Sequence, residues 1–327
     1  MNRLIATLDL TLPLLQAGMG GLAGPQLAAA VSAAGAGGVL ALYKETPEGI
    51  RRLIAATTAA TTRPFGVNLI PEIVGPATAR AQVLTALEFL PPSSFVTFFG
   101  LPDGATAAEV IQARRRIVIE VGTARDAEAA LDLGADVLVL QGVEAGGHLL
   151  GTIPAATLLQ KIRARHPSAV LAIAGSIATG IDLARALSYG ADGGMAGTLF
   201  VPTRESAAHP LFKHRVLAAA ACDTVVTSLF EIGWPARPHR VLRNALTESS
   251  ERQPATFIAT TTVDGQRLPV PRYSATTPSI RTEGRVEEMA MYCGNSCERV
   301  TEAQSVASVL TRFRHEFEVA LARLEVI

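Results

Sequence analysis

Eight successive units, each an apolar run of strand length followed by an alanine-rich segment of helical period, predict an α/β fold of the (β/α)8 TIM-barrel class. Two further observations agree. Residues 137–140 read Val-Leu-Val-Leu, a continuous apolar run as in a parallel strand covered on both faces. The units are also evenly spaced, whereas an open doubly wound sheet rarely uses eight such repeats.

In order, the first unit joins a strand over 12–19 to a helix over 25–34, where Pro25 suits the first helical turn. Asp9 and Pro13 interrupt any signal-peptide core, so the N-terminal apolar residues lead into that strand. Strands over 38–42, 65–70, 95–99 and 117–121 precede helices over 47–61, 76–90, 105–113 and 124–133. The sixth strand, 137–140, runs into a polar loop and then a helix over 154–165. Strand 170–174 with helix 179–189, and strand 193–196 with helix 205–221, complete the set. Residues 1–221 thus form the barrel.

Beyond residue 221 the pattern changes. Residues 231–243 are rich in proline and arginine, and 249–285 are polar with scattered Pro, Gly and Thr. This reads as a smaller added segment over 222–302, partly irregular, lying over the active site. A closing helix within 303–327 packs back on the barrel, with Val306, Leu310, Phe313, Phe317, Ala320 and Leu324 at spacings of three and four.

Composition narrows the function. The 327 residues carry 29 basic and 29 acidic side chains without blocks, which argues against nucleic acid or an anionic membrane as partner. Aromatics are 5%, too few for a base-stacking platform. The mean hydropathy of +0.30 comes from alanine and buried strands, because no apolar run reaches the roughly 18 residues of a membrane span. Cys222, Cys293 and Cys297 fit a reducing, cytoplasmic setting. With no second ligand pair, Cys293 and Cys297 do not make a zinc site, and no metal is expected. The oligomeric state is left open, a homodimer included.

The chemistry gathers after strand six. Gln141, Glu144 and His148 fall close together, with Gly146-Gly147 just before the histidine. Paired glycines let backbone approach a flat ligand, and the carboxyl ends of barrel strands are where such folds place catalysis. His148 is therefore the candidate catalytic residue; the alternative is a hydrogen-bonded loop histidine. Gly175-Ser176 and Met195-Ala196-Gly197-Thr198 follow strands seven and eight, where barrels commonly hold a phosphate. Tight turns alone would also use these glycines. Asn68 ends an otherwise apolar strand and offers a donor and an acceptor to a ring edge. Gly18-Met19-Gly20-Gly21-Leu22-Ala23 matches a dinucleotide fingerprint, but no acid ends the next strand, so NAD is not expected there. The backbone of Ala17, Gly18 and Met19 is instead placed against a flat ring.

Together the motifs resemble the nitronate monooxygenases, FMN-dependent TIM barrels. The matching pieces are Gln16-Ala17-Gly18-Met19-Gly20-Gly21, Phe65-Gly66-Val67-Asn68-Leu69, Gln141-Gly142-Val143-Glu144-Ala145-Gly146-Gly147-His148, Ala174-Gly175-Ser176-Ile177, Ala196-Gly197-Thr198 and Glu205-Ser206-Ala207-Ala208-His209-Pro210. The resemblance implies that FMN is held by Asn68, Gln141, Gly146, Ser176 and the Met195–Thr198 turn. It also implies oxidation of alkyl nitronates or nitroalkanes with O2 to a carbonyl product and nitrite, with His148 as base or orienting group. The chain departs from the family pattern at Gly18, Ser176, Met195-Ala196-Gly197-Thr198 and Cys293-Gly294-Asn295, and Cys293 and Asn295 are the positions expected to alter substrate preference. The same motifs resemble the FMN-dependent enoyl-acyl-carrier reductases, so an NAD(P)H-driven reduction of an enoyl thioester or quinone is the alternative activity. A barrel that holds a phosphate ligand without flavin is the second.

Overall fold

The computed structural model describes residues 2–263 and 266–324. Residues 325–327 of the expected closing helix, and the side chain of Leu324, lie outside the described residues.

The chain opens with a short helix, α1 (Arg3–Leu8), then β1 (Leu14–Gln16), α2 (Pro25–Ala33), β2 (Gly38–Ala41), α3 (Pro47–Ala60) and β3 (Phe65–Leu69). It continues with α4 (Pro71–Val74), α5 (Pro76–Phe89), β4 (Phe95–Phe99), α6 (Gly104–Gln112), β5 (Arg116–Val121), α7 (Ala124–Asp132) and β6 (Val137–Gln141). After a two-residue strand, β7 (Gly147–His148), come α8 (Ala155–Arg165), β8 (Leu171–Ala174), α9 (Gly180–Ser188), β9 (Gly193–Ala196) and α10 (Pro210–Ala218). The remainder holds β10 (Thr224–Thr227), β11 (His239–Leu242), α11 (Ala245–Glu248), β12 (Phe257–Val263), β13 (Gln266–Pro271), β14 (Thr282–Gly284) and α12 (Val306–Leu324).

Eight parallel strands form one sheet in the order β1-β9-β8-β6-β5-β4-β3-β2. A parallel bridge from Leu15 to Gly37 brings its two ends together, with Gln16 N donating to Gly37 O at 2.9 Å. The fold is a TIM barrel. Its lumen is filled by Leu15, Val39, Phe95, Val118, Val137 and Val139, while a larger apolar layer separates strands from helices. Packing of this kind makes the barrel a solid core whose chemistry is confined to its ends.

Several elements differ from the sequence expectation. The N-terminal apolar residues do not lead straight into a strand. They form α1, because Asn2 accepts from Ile5 N at 3.1 Å as a cap and Leu4 and Leu8 turn inward to close the barrel floor. The first strand is only three residues, since the chain turns at Ala17, whose carbonyl accepts from Met19 N. The helix expected over 205–221 starts at Pro210, with the His209 Nδ1 accepting from Leu211 N as its cap. The polar stretch expected to be partly irregular contains an antiparallel sheet ordered β13-β12-β14. Pro269 and Pro271 are tolerated there because β13 is an edge strand.

The α12 helix packs along α9 and touches α2, with Val306, Leu310, Phe313 and Phe317 buried. Gly180 at the start of α9 makes the closest approach: a Cβ there would stand 2.1 Å from Phe313 O. Gly180→Ala should therefore cost about 1–3 kcal/mol through overpacking. An unchanged urea midpoint would show that the helices are not in this close contact.

Candidate active site

The loop after β6 carries His148, and its conformation is fixed from several sides. Gly147 and His148 form β7, which pairs antiparallel with β11, His148 opposite His239 and Gly147 opposite Arg240. Leu149 N extends the pairing by donating to Pro238 O at 2.8 Å. Gln141 spends its side-chain amide on the same loop: Nε2 donates to His148 O at 3.0 Å and Oε1 accepts from Leu150 N at 2.7 Å. The Arg240 guanidinium donates to Val143 O at 2.9 Å and to Thr224 Oγ1 at 3.1 Å. Glu144 caps α8 by accepting from Ala155 N. Gly146 is required here, because a Cβ would stand 2.4 Å from Gly294 N.

The imidazole itself is buried in an aromatic box. It stacks on Trp234 with ring centroids 3.6 Å apart and planes 18° apart, and His239 and Tyr292 each lie 5.1 Å away. Burial, followed by the nearby His239, Arg237 and Lys44 charges, pushes the His148 pKa down to about 2. The ring is therefore neutral at physiological pH. Its Nε2 has no hydrogen-bond partner among the described residues, and neither does Trp234 Nε1. A buried polar atom without a partner marks a place where a ligand is expected to complete the bonding.

One cavity of 1090 Å³ is lined by His148 and by every residue singled out in the sequence for a cofactor: Ala17, Gly18, Met19, Asn68, Gln141, Gly146, Gly147, Gly175, Ser176 and the Met195–Thr198 turn. Asn68 accepts from Thr97 Oγ1 at 2.7 Å through Oδ1, which turns its amide nitrogen toward other partners. Gly18 lies against Asn68 so closely that a Cβ would stand 2.4 Å from it. Gly175 and Ser176 both have positive φ, 103° and 64°, which shapes a tight backbone turn at the cavity wall. The neighbouring N-terminus of α9 is already closed, since Asp182 accepts from Ala178 N and Thr179 N, and Glu316 accepts from Gly180 N. An anion would therefore rest on the two turns rather than on this helix. Arg299 reinforces one of them, donating to Ser176 O at 2.9 Å. A flat ligand with an anionic tail fits this shape.

Cys293 and Asn295 stand behind the cavity and do not line it. Cys293 is fully buried in an apolar cluster, and Asn295 Oδ1 accepts from Thr224 Oγ1 while its N donates to Glu144 O. They support the histidine loop; the lining positions of that segment are Gly294 and Ser296. The sequence reading missed Trp234, Tyr43, Tyr292 and Glu120, all on the cavity wall. Burial raises the Tyr43 pKa to about 12 and that of Tyr292 well above the usual value, so both hydroxyls stay protonated. Glu120 was findable, being the one charged residue within the apolar run Ile-Val-Ile-Glu-Val.

Comparison with known proteins agrees with the geometry. A family profile described as Nitronate monooxygenase matches residues 1–316. A (3aS,4S,5R,7aS)-5-hydroxy-7a-methyl-1-oxo-octahydro-1H-indene-4-carboxyl-CoA dehydrogenase from Rhodococcus jostii is 35% identical over 240 residues, 73% of this chain and 65% of that protein. The chain thus spans just under two thirds of that relative's length. FabK from Thermotoga maritima has a similar structure, with TM-score 0.79 and 26% identity over 99% of this chain and 98% of the other. A nitroalkane oxidase from Streptomyces ansochromogenes gives TM-score 0.76 and 26% identity over 98% and 99%.

Glu120 is the titrating group this cavity exposes to test. Burial raises its pKa to about 7, partly offset by a hydrogen bond from Gln141. Its folded value lies above the unfolded one, so its contribution is fully favourable below about pH 4.5 and is lost as pH rises through 7. Glu120→Gln should raise unfolding free energy at pH 8 by on the order of 1–3 kcal/mol, with little gain at pH 4.5. An equal change at both pH values in urea titrations would remove the assignment.

Proposed function

The chain belongs to the nitronate monooxygenase family, and from that premise we propose that it is an FMN-dependent enzyme oxidising alkyl nitronates with O2 to a carbonyl product and nitrite. That it is an oxidoreductase follows from the family and from its similarity to the nitroalkane oxidase. The single observation that carries the finer reading is the buried His148 Nε2, without a partner, at the mouth of a barrel whose glycine turns leave room for a flat, phosphate-bearing ligand. When bound, FMN supplies electron acceptance and oxygen reactivity, chemistry that no side chain here provides.

Ala17, Gly18, Met19 and Asn68 would hold the ring, and Gly175, Ser176 and the Met195–Thr198 turn the phosphate. Gly146 and Gly147 keep the histidine loop flat against the ligand. His148 orients the head group. Its depressed pKa means that a proton taken from a neutral nitroalkane is held poorly unless the resulting anion stays beside the imidazolium and compensates it. The box of Trp234, Tyr292 and His239 excludes water from that pair. A substrate arriving already as the nitronate avoids this cost, so nitronates should be turned over faster than the parent nitroalkanes. No helix among the described residues is long and apolar enough to cross a membrane, and the substrate is a small molecule.

The purified protein should show flavin absorption, natively or after incubation with FMN, that bleaches anaerobically on adding a nitronate alone. Bleaching only with NAD(P)H would replace this reading with the reductase, and absence of any flavin band would remove both. His148→Asn should keep its flavin content while neutral nitroalkane turnover falls about 10²–10⁴-fold. Full retained activity would end the role given to the imidazole.

A further inference from the structure

The cavity holding His148 continues beyond the barrel mouth. At 1090 Å³ it exceeds the roughly 300–1000 Å³ that one drug-sized ligand fills. One half is walled by the glycine turns and strand ends already described. The remainder has different walls: Leu53 and Ala56 on α3, and Val263, Leu268, Val270 and Ile280 around the β12–β13 pair, with Arg52, Thr261, Thr262 and Arg281 as polar residues among them.

Strand register explains why those side chains converge. Thr261 is opposite Leu268 and Ala259 is opposite Val270, so Val263, Leu268 and Val270 project from one face of the sheet. Apolar residues on this wall are left open: Val263 is 46% exposed, Leu268 43% and Ile280 63%. Scattered exposed apolar residues are ordinary, but a group lining one cavity continuous with a reactive site marks a binding surface. A second, independent observation points the same way. Thr277 Oγ1, on the same cavity, is buried without a hydrogen-bond partner among the described residues. On a wall that mixes apolar and polar residues, a bound ligand fixes its orientation through the polar atoms and gains affinity from the apolar ones, which suits an amphipathic molecule.

We propose that this outer half receives the hydrocarbon body of an elongated, amphipathic substrate, an alkyl or acyl chain much longer than that of a simple nitroalkane, whose polar head reacts beside His148. The proposal rests on the oxidation reading for the head group only. The seat for the body is set by α3 and by the face of β12 and β13, whatever the redox chemistry. Thr277 is placed to hydrogen-bond a polar atom within the chain, such as a carbonyl. Short nitronates then react slowly or with weak affinity because half of the cavity contributes nothing to their binding.

Calorimetric titration of the FMN-loaded protein with straight-chain carboxylates, from propanoate to decanoate, tests this. A carboxylate has the planar two-oxygen head of a nitronate and is not oxidised, so binding is read apart from turnover. Affinity should rise roughly two- to fourfold with each methylene through at least octanoate. The exposed-wall double variant Leu268→Asp/Ile280→Asp should lose at least tenfold on decanoate relative to butanoate. An affinity that stops rising by butanoate, or a decanoate-to-butanoate ratio unchanged in the variant, overturns the proposal. A wild-type dimer that dissociates in the double variant also overturns it, since the wall is then a subunit interface. Loss of nitronate oxidation alongside a preserved chain-length series would instead remove only the oxidation reading.

Discussion

The site depends on a very short stretch of backbone pairing. Gly147 and His148 are held in register by β11, and everything else around the imidazole is arranged to keep that register. Gln141 grips the loop from the barrel strand below, Arg240 grips it from the neighbouring strand, and Gly146 lets the 293–294 backbone press against it. A loop histidine free to sample many conformations would lose much of its orienting power. Here the ordering cost is met during folding by hydrogen bonds that are remote from the substrate.

Electrostatics follow from that enclosure. Stacked against Trp234 and close to another neutral-leaning ring at His239, His148 stands where a positive charge is poorly tolerated. Glu120 stands where a negative charge is poorly tolerated. The cavity therefore favours neutral side chains and reserves its capacity to stabilise charge for whatever enters it, which is the condition under which a few fixed dipoles act strongly.

The barrel was legible because its strands are apolar runs covered on both faces, and such runs resist any other placement. The histidine loop was legible because glycine pairs before a polar residue are uncommon within an apolar chain. What was not legible came from pairing at a distance. The β12–β13–β14 sheet is built from threonines and edge prolines whose local pattern says loop, and only the partner strand makes them strand. Trp234 and His239 carry no local signal, because nothing in their own stretch of sequence places them beside His148, about ninety residues earlier in the chain. Cys293 and Asn295 drew attention as departures from a family pattern, yet the lining falls on their neighbours Gly294 and Ser296. Helix α1 was hidden by its brevity, and tertiary packing against the barrel floor supplies what so short a helix lacks.

The segment after the barrel contributes two things at once: β11, which seats the histidine, and β12 and β13, which wall the outer cavity. The seat of the histidine and the outer wall of the cavity are thereby encoded in one stretch of chain. β11 and the β12–β13 pair belong to separate sheets, and isolated bridges from Ile232 to Ser274 and from Val241 to Tyr292 tie the stretches beside them together. A change confined to this one stretch of chain can therefore alter the seat of the histidine or the outer wall while leaving every barrel strand as it is.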